Sequence, residues 1–434
     1  MLAEATGSYD PATGTLSIRV REGGIDQLSI EGLTGKPAAA VQRYFARVTP
    51  ERPVRQARFE RALMLSRDLS GVSLRSSVEI DPATGITNLR LIGASARQHG
   101  AVSLDNVPLR GAYAVRLYGV EEGYSLLTGG DLLRGFAVAT REPDNAYTVA
   151  GTLYYRAPLG GSGLYAEAYG GTVLARRDFD TISSDQVTRG RSFAGAIGMP
   201  FVRTLHSFAY AVAEYEDAHA RSRLGQSAIR SGSNTGRLHA IYGSNGVGGG
   251  TVKASVTLSL GERSIDNSGR EPDGDRRFTH VRAALGMMEP LRRLSNGAYV
   301  RLQMQGQWTR DALPQVEKMV LGHEPVMKGY EPAEVTGDRG YAAALELALI
   351  ELRPKSALWA LTPLSSLEIG TVSNRRYFDS FAPRSATLAS GSLGARLHFR
   401  HDVILTGWVA LPFRDGRMTR AGDPVFHLNL TKPW

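Results

Sequence analysis

The sequence predicts a transmembrane β-barrel of about 16 antiparallel strands, preceded by a small α/β module. From about residue 98 onward, apolar and polar residues alternate with a period of two, and no helical periodicity persists. The alternating runs have roughly the 9–11-residue length with which a tilted strand crosses a membrane. The gaps between them mostly alternate between short turns and long polar loops, which is typical of outer-membrane barrels.

The composition is that of a folded protein rich in β structure. The chain has 434 residues, of which 42% are hydrophobic and 21% charged, so it can bury a large core. Its 49 glycines and 17 tyrosines favour strands and turns. Cysteine is absent, which excludes disulfide scaffolds, thiolate zinc sites and cysteine nucleophiles and suits passage through an oxidising periplasm.

The charge and the first residues bear on partners and targeting. The net charge is +9, but the basic residues form no dense run, so no nucleic-acid partner is predicted. No stretch of about 18 apolar residues indicates a transmembrane helix. Residues 1–5 have neither a basic start nor an apolar run, and we therefore expect the signal peptide to be missing from this chain.

The first 96 residues form two short units. Residues 15–20 alternate as a strand that ends before Gly23 and Gly24. Residues 25–96 follow the order β-α-α-β-β. Its predicted elements are a strand at 25–31, helices at 37–48 and 54–69, and strands at 72–80 and 86–92.

Sixteen strands are predicted after this module, and the clearest lies within 297–308. There Val300, Leu302 and Met304 point to one side and Arg301 and Gln303 to the other. The predicted strands span residues 99–105, 110–118, 131–140, 146–157, 163–174, 191–200, 205–216, 235–243, 251–262, 278–287, 297–308, 340–351, 357–371, 389–400, 402–412 and 425–434.

The predicted long loops all fall on one side of the barrel. They span residues 175–190, 217–234, 263–277, 309–339 and 372–388, while the gaps on the other side are short. Residues 119–130 are the main exception. This sorting predicts turns that face the periplasm and loops that face outside.

The last strand carries a feature of exported barrels. Phe426, Leu428 and Leu430 alternate with polar residues, and the chain ends on Trp434. An amphipathic final strand with a terminal aromatic residue resembles the assembly signal that the barrel-assembly machinery reads in outer-membrane proteins.

A family resemblance lies in the longest loop. Residues 322–330 read GHEPVMKGY, and their last three residues are Lys328, Gly329 and Tyr330. The family motif continues at Gly337, Asp338, Gly340, Tyr341 and Glu346. This pattern resembles the two-partner secretion transporters (TpsB), the haemolysin and filamentous-haemagglutinin activator/secretion family. Their long loop between strands 11 and 12 ends in a Val-Arg-Gly-Tyr/Phe tip, and the present loop also follows the eleventh predicted strand.

Two positions depart from the family pattern. Lys328 stands where the family has arginine, and Glu368, followed by Gly370, stands where a strand-13 motif has aspartate. The resemblance implies an ion pair between Lys328 and Glu368 that holds the loop inside the barrel. In a partly wet lumen we expect this pair to contribute about 1 kcal/mol or less. The alternative is an exposed loop lysine and an unrelated strand glutamate.

The resemblance extends over nearly the whole chain. Residues 102–106 are similar to the family's first barrel strand, and residues 130–132 to the segment that opens its third. Residues 25–96 resemble the second POTRA domain, and residues 1–24 the C-terminal remnant of the first. Because the front of the first POTRA domain is missing, we expect either a misassigned start or a degenerate gene.

Two sets of residues are candidates for contact with a translocated chain. The helix at 54–69 and the strand at 72–80 could dock a partner by strand addition, although core packing also explains the helix. The wall facing the lumen is predicted to include Arg116, Lys253, Arg282, Arg301, Arg396 and His398. It is either a hydrophilic path for an unfolded polypeptide or an ordinary wet interior.

The resemblance implies an outer-membrane translocator that exports a large secreted exoprotein, such as a haemolysin or adhesin. The expected location is a Gram-negative outer membrane with the POTRA module in the periplasm. The implied partners are the unfolded exoprotein, outer-membrane lipid and the barrel-assembly machinery. No catalytic residue, cofactor or metal site is predicted. An insertase of the same superfamily is the first alternative, and a diffusion porin ranks below it.

Overall fold

The computed structural model describes residues 3–80, 86–109, 112–142, 146–177, 186–224, 227–245, 249–264, 275–295, 297–322, 326–352, 359–375 and 383–434. The chain begins with a hairpin of β1 (Ala3–Asp10) and β2 (Thr15–Glu22). A second unit follows, made of β3 (Gln27–Glu31), α1 (Gly35–Phe45), α2 (Gln56–Arg67), β4 (Val72–Ile80) and β5 (Thr87–Ser95).

This second unit, which we call the module, is a three-stranded sheet covered by two helices. The strand order is β3-β5-β4, with β3 parallel and β4 antiparallel to the central strand. Val41 and Phe45 of α1 and Leu63 of α2 pack on Leu89 and Leu91 of β5 in one buried cluster. Of the helices in the described part of the chain, none has the length and apolar character needed to cross a membrane.

The remainder of the chain closes into a barrel of sixteen antiparallel strands, interrupted by a small hairpin formed by β17 and β18. In chain order these strands are β6 (Gln98–Leu109), β7 (Ala112–Tyr124), β8 (Leu132–Arg141), β9 (Tyr147–Leu159), β10 (Leu164–Arg177), β11 (Gln186–Arg203), β12 (Ser207–Leu224), β13 (Ser227–Asn245), β14 (Thr251–Arg263), β15 (Arg277–Pro290), β16 (Tyr299–Thr309), β17 (Met319–Leu321), β18 (Val335–Gly337), β19 (Arg339–Ala348), β20 (Trp359–Ser373), β21 (Ser385–Phe399), β22 (Ile404–Pro412) and β23 (Val425–Pro433).

Pairing of the last strand with the first closes the barrel, with Asn429 opposite Asp105 and Pro433 opposite Ala101. The predicted alternation corresponds to the two faces of the barrel wall, as β16 shows. On β16 the large apolar side chains Met304 and Trp308 are exposed on the outside, while Gln307 is buried inside. Apolar residues therefore face outward and polar residues inward, as a barrel in a membrane requires.

The prediction of sixteen strands is confirmed, but the expected long loop at 217–234 is wrong. Strands β12 and β13 continue to pair from Asp217 and Asn234 up to Leu224 and Ser227. In this segment polar residues occupy both faces of the ribbon, so the apolar alternation that marks the other strands is absent. Likewise β7 runs on to Tyr124, so the first half of the exception at 119–130 is strand.

The longest connection, residues 310–338, folds inside the barrel and is called here the long loop. It contains a short 3-10 helix, Gln315–Glu317, and the β17–β18 hairpin. Its apolar residues Leu321, Met327 and Tyr330 belong to one buried cluster with Ala342 and Leu388 of the wall. Residues 323–325, part of the motif at 322–330, lie outside the described residues.

The module is bonded to the turns at the end of the barrel opposite the long loop. Asp68, which follows α2, accepts two 2.6 Å hydrogen bonds from Arg203 at the end of β11. Arg61 of α2 donates to the Pro200 carbonyl at 2.6 Å, and Lys36 of α1 donates to the Leu126 carbonyl at 2.6 Å. Both helices therefore hold the module against the barrel.

A buried carboxylate organises the turn between β7 and β8. Asp131 accepts hydrogen bonds from the backbone N–H groups of Leu126, Leu127 and Thr128 at 2.7–2.8 Å and from the Tyr155 hydroxyl at 2.9 Å. Burial opposes ionisation, but these four hydrogen bonds outweigh it and lower the pKa of Asp131.

Asp131→Asn is expected to destabilise the barrel by about 1–3 kcal/mol at pH 7, because an amide cannot accept all four bonds. A carboxylate whose pKa is lowered on folding stabilises the protein above its unfolded pKa of about 3.9 and loses that contribution as the pH falls through the folded pKa. The difference between variant and parent should therefore shrink below about pH 4. Thermal unfolding at pH 7 and pH 3 checks this, and equal stabilities at pH 7 would contradict it.

Candidate functional site

The tip of the long loop is fixed by a buried ion pair. Lys328 Nζ lies 2.8 Å from Glu368 Oε1, and the Lys328 backbone N–H donates to Glu368 Oε2 at 2.6 Å. Glu368 lies on β20 and faces inward because Ile369 occupies the alternate, outward position. The structure therefore brings together the two residues that the family pattern pairs.

Additional donors complete the hydrogen bonding of this carboxylate. The Ser366 hydroxyl donates to Glu368 Oε1 at 3.0 Å, and the Ser390 hydroxyl donates to Oε2 at 2.8 Å. Lys328 Nζ also lies 4.6 Å from the centre of the Trp408 ring, in a cation–π contact. The Lys328 carbonyl lies 2.6 Å from His427 Nε2. The tip thus contacts four neighbouring strands, β20 to β23.

The expectation of a partly wet pair is wrong. Lys328 and Glu368 are each only 4% exposed, because the loop and the wall enclose both. A buried pair differs from a surface pair in what its loss costs. Removal of one partner leaves an uncompensated buried charge and costs about 3–5 kcal/mol rather than about 1 kcal/mol or less.

Small residues let the loop tip lie directly on the wall. A Cβ at Gly329 would lie 2.6 Å from Ser390 Cβ, and a Cβ at Gly370 would lie 2.7 Å from Met327 Cε. Tyr330 is fully buried, and its hydroxyl accepts the Ala389 N–H at 3.1 Å. The same hydroxyl lies 2.9 Å from the carbonyl oxygens of Ala389 and Arg414. These contacts fix the depth at which the tip sits.

The second half of the motif fastens the loop where it returns to the wall. Asp338 is buried and accepts the backbone N–H of Leu313 at 2.9 Å and of Arg375 at 2.6 Å. It thereby joins the beginning of the loop to its end. A Cβ at Gly337 would meet Val372 Cβ at 2.7 Å, and one at Gly340 would meet the Thr371 carbonyl at 2.4 Å. Glycine at both positions therefore lets the end of the loop and the start of β19 pack closely on β20.

The remaining motif residues face opposite sides of the wall. Tyr341 points outward and is exposed. Glu346 faces the lumen, where its carboxylate accepts a hydrogen bond from the Tyr299 hydroxyl at 2.8 Å and lies 3.4 Å from Arg301. Tyr341 therefore belongs to the outer surface and Glu346 to the lining of the lumen.

Sequence reasoning missed a second anchor, at Glu317 in the 3-10 helix. Both carboxylate oxygens accept from Arg237 of β13, at 2.9 and 3.1 Å. Ser233 and Thr235 of the same strand donate at 3.0 and 2.9 Å, and His280 of β15 lies at 3.1 Å. One indication of this anchor was present in the sequence. Arg282 is predicted to face inward, and its side chain also contacts Glu317.

The two anchors hold the long loop to different stretches of wall. Glu317 contacts β13 and β15, whereas the tip contacts β20 to β23. In the barrel order these stretches are separated by β16 and β19 on one side and by β6 to β12 on the other. The loop therefore crosses part of the lumen.

The predicted lumen-facing residues differ in whether they form an ion pair. Arg116 pairs with Asp105 at 2.9 Å, while Arg396 and Lys253 form no ion pair with any described residue. Beside the loop tip lies a polar cavity of about 270 Å³, lined by Lys328, Arg116, Arg301 and Arg396 among others. His398, two residues further along β21, is not among the residues that line this cavity. The lining also includes Asp105 and Glu346, which pair with Arg116 and Arg301, so Arg396 is the lining cation without an ion pair among the described residues.

The predicted docking elements of the module enclose a groove. An apolar cavity of about 260 Å³ lies between α2 and β4, lined by Phe59, Leu63, Val78 and Leu205 among others. Strand β4 pairs only with β5, so its other edge carries no partner strand among the described residues. The groove and this free edge lie side by side.

The C-terminal strand shows the predicted alternation. Phe426, Leu428 and Leu430 are exposed on the outer surface, and His427 is buried inside. The backbone N–H of Trp434 donates to the Gly100 carbonyl at 2.9 Å, and its indole N–H donates to Glu121 at 3.2 Å. The last residue therefore contributes to barrel closure; reading by assembly machinery stays a prediction.

A family model and the solved structures agree on the architecture. The model of the haemolysin secretion/activation proteins ShlB/FhaC/HecB matches residues 137–397, more than half of the chain. CdiB from Acinetobacter baumannii has 14% identity and a TM-score of 0.78, with 100% of this chain and 78% of that chain covered. CdiB from Escherichia coli has 15% identity and a TM-score of 0.79, with 100% and 80% covered.

A more distant structural match is BamA from Haemophilus ducreyi lacking POTRA domains 1–3. It has 12% identity and a TM-score of 0.57, with 100% of this chain and 89% of that chain covered. A comparison with curated protein sequences finds no match. At these identities the structural likenesses show the fold alone.

Proposed function

Because the chain belongs to the ShlB/FhaC/HecB family of haemolysin secretion/activation proteins, we propose that it is the translocator of a two-partner secretion system. It recognises one large exoprotein in the periplasm of a Gram-negative bacterium and exports it through the barrel. The observation that carries the proposal is the long loop held inside the barrel by Lys328 and Glu368, in a chain of this family. The loop closes the resting pore and marks the path that the exoprotein takes.

In this proposal the module is a POTRA domain that binds the exoprotein before export. An extended segment adds to the free edge of β4, so that backbone hydrogen bonds supply affinity with little demand on sequence. Apolar side chains of that segment enter the groove beside Phe59 and Val78. Because α1 and α2 are bonded to the barrel turns, the captured segment is held close to the pore.

Translocation then needs displacement of the long loop and no nucleotide. The exoprotein passes unfolded along a lumen whose charged and polar side chains offer few apolar contacts, so it slides without sticking. Folding of the exoprotein outside the cell gives the movement its direction, because a folded product cannot return through the barrel.

Val78→Lys is expected to weaken binding of the exoprotein's N-terminal domain at least tenfold. The substitution places a longer, charged side chain in the groove, whose lining also includes Glu60, so apolar side chains of the exoprotein lose both space and apolar surface there. Ile92→Lys is the matched control, because Ile92 is an exposed apolar residue on the central strand of the same sheet. Calorimetry with the purified chain measures both affinities. Equal weakening by the two variants would contradict the assignment of the groove.

Export itself is the test of the proposed function. The chain is produced with a signal peptide together with a candidate exoprotein encoded beside its gene, and the exoprotein is measured in the medium. Secretion that depends on this chain is the expected result. A membrane-inserted barrel that exports nothing but restores assembly of other barrels would instead support the insertase, whose representative BamA shares the fold at a lower TM-score.

A further inference from the structure

The outer surface of the barrel carries an aromatic pair where the long loop leaves the wall. Trp308 on β16 and Tyr341 on β19 point outward and are 53% and 55% exposed. They lie on neighbouring strands, since Gly306 is paired with Tyr341. Tryptophan and tyrosine at such positions form the girdle that marks the boundary between lipid tails and headgroups. This pair therefore marks the height of the headgroups on the loop side.

Three arginines cluster next to the aromatic pair. The guanidinium carbons of Arg310 and Arg339 lie 5.6 and 5.9 Å from the centre of the Trp308 ring. Arg375 Nε donates to the Arg310 carbonyl at 3.1 Å. Within the described part of the chain, none of the three has a carboxylate partner within 4.0 Å. Three like charges thus share one patch, which a bound anion would neutralise.

A groove continues from this cluster along the outer surface. Its volume is about 530 Å³, and Arg339 lines one end. Ala283, Gly306 and Thr371 are among its lining residues, and their small side chains leave the space that Trp308 and Tyr341 flank. The groove runs from the height of the guanidinium groups into the apolar band. It fits a hydrocarbon chain attached to an anionic headgroup.

We propose that Arg310, Arg339 and Arg375, together with Trp308 and Tyr341, bind a phosphorylated glycolipid of the outer leaflet. We call these residues the arginine patch. Guanidinium groups bind phosphate oxygens in pairs, and cationic pockets at the membrane surface of proteins bind lipid headgroups. A glycolipid with two phosphates on one disaccharide matches three neighbouring arginines better than a headgroup with one phosphate. One acyl chain occupies the groove. The proposal rests on the proposed outer-membrane location and on the loops facing outside.

The position of the patch gives the lipid a mechanical role. Arg310 is the first residue of the long loop, and Arg339 is the first residue after it. The backbone N–H of Arg375 donates to Asp338, the residue that joins the two ends of the loop. A bound lipid therefore braces both ends of the loop from outside, while Lys328 and Glu317 hold it from within.

Lipid binding to the purified full-length chain tests the proposal. The probes are bisphosphorylated lipid A, its monophosphorylated form, phosphatidylglycerol and inorganic phosphate, each measured by native mass spectrometry from the same detergent. Arg310→Gln is the main variant, because the Arg310 side chain contacts the Trp308 ring and forms no hydrogen bond or ion pair with a described residue. Arg310→Lys keeps the charge without the planar fork. Arg420→Gln removes an exposed arginine on another connection of the loop side.

We expect the bisphosphorylated lipid to bind most tightly and Arg310→Gln to weaken it about fivefold, as loss of one cationic contact implies. Arg310→Lys should lose less, and Arg420→Gln nothing. Unchanged binding to Arg310→Gln, or equal binding of phosphatidylglycerol, would overturn the proposal. Because binding is measured without export, its failure leaves the translocator intact. A failure of the proposed function instead appears as absent secretion by a chain that still binds the lipid.

Discussion

Lys328→Met is expected to lower the stability of the barrel by about 3–5 kcal/mol and to abolish export. Methionine has about the length of lysine, so the substitution removes the charge with little change in side-chain volume. The Glu368 carboxylate, however, remains buried with hydrogen bonds from Ser366 and Ser390 and no cation beside it. Movement of the loop away from the wall exposes the unpaired carboxylate to water. The loop then loses the resting position from which the exoprotein displaces it.

A second lysine offers a matched control for this prediction. Lys253 also faces the lumen but is exposed and forms no ion pair with any described residue, so Lys253→Met should leave both stability and export unchanged. Thermal unfolding and secretion are measured for both variants. Adding Glu368→Gln to Lys328→Met should recover part of the lost stability, since the uncompensated charge is then gone. A double variant no more stable than Lys328→Met would contradict a charge-based explanation.

Lys328→Arg separates the charge from the geometry. The family carries arginine at this position, and a guanidinium group can bind a carboxylate through two parallel hydrogen bonds. In this chain one oxygen of Glu368 already accepts the Lys328 backbone N–H and the Ser390 hydroxyl. We therefore expect Lys328→Arg to keep export, with a stability close to that of the parent.

The strands could be predicted because the membrane imposes a rule on every residue that crosses it. On β16 the lipid outside the barrel requires apolar side chains at positions such as Met304 and Trp308. The wet lumen favours polar side chains at the positions that alternate with them. The rule ends where the strands leave the membrane. Asp217 and Asn234 pair within a polar ribbon, and their sequence resembles a loop because both faces meet water.

Only part of the candidate functional site could be predicted from the sequence. The pairing of Lys328 with Glu368 followed from the family pattern, but its burial did not, because burial depends on how deep the whole loop sits. Glu317 carried no motif at all. Its partner Ser233 lies 84 residues away in the chain, and only the barrel order and the fold of the loop bring the two together.

The two anchors differ in what remains after each is broken. At the tip, loss of Lys328 leaves Glu368 without a cation. At the Glu317 anchor, which we call the base of the loop, Arg237 also pairs with Glu214 at 3.1 Å and with Glu216. The charges on the wall therefore remain balanced when the loop leaves. The contacts at the base can therefore break and re-form at a low cost in free energy, whereas the contacts at the tip fix the position of the loop.

Glu317→Ala is accordingly expected to loosen the base of the loop without unseating its tip. The loss of charged hydrogen bonds from Arg237, Ser233 and Thr235 should cost about 2–3 kcal/mol. Because the loop then blocks less of the lumen, single-channel conductance in planar bilayers should rise at least twofold. Export should persist, since the Lys328–Glu368 pair is intact.

A carboxylate outside the lumen controls for the loss of charge alone. Glu262 is half exposed and pairs with the exposed Arg276 at 3.3 Å, so Glu262→Gln should change neither conductance nor stability by more than about 0.5 kcal/mol. Glu317→Gln should fall between the parent and Glu317→Ala, since an amide retains some of the hydrogen bonds. If Glu317→Ala leaves conductance unchanged while the barrel is destabilised, the carboxylate only supports the wall. A rise in conductance with export retained places the first movement of the loop at its base, before the tip leaves Glu368.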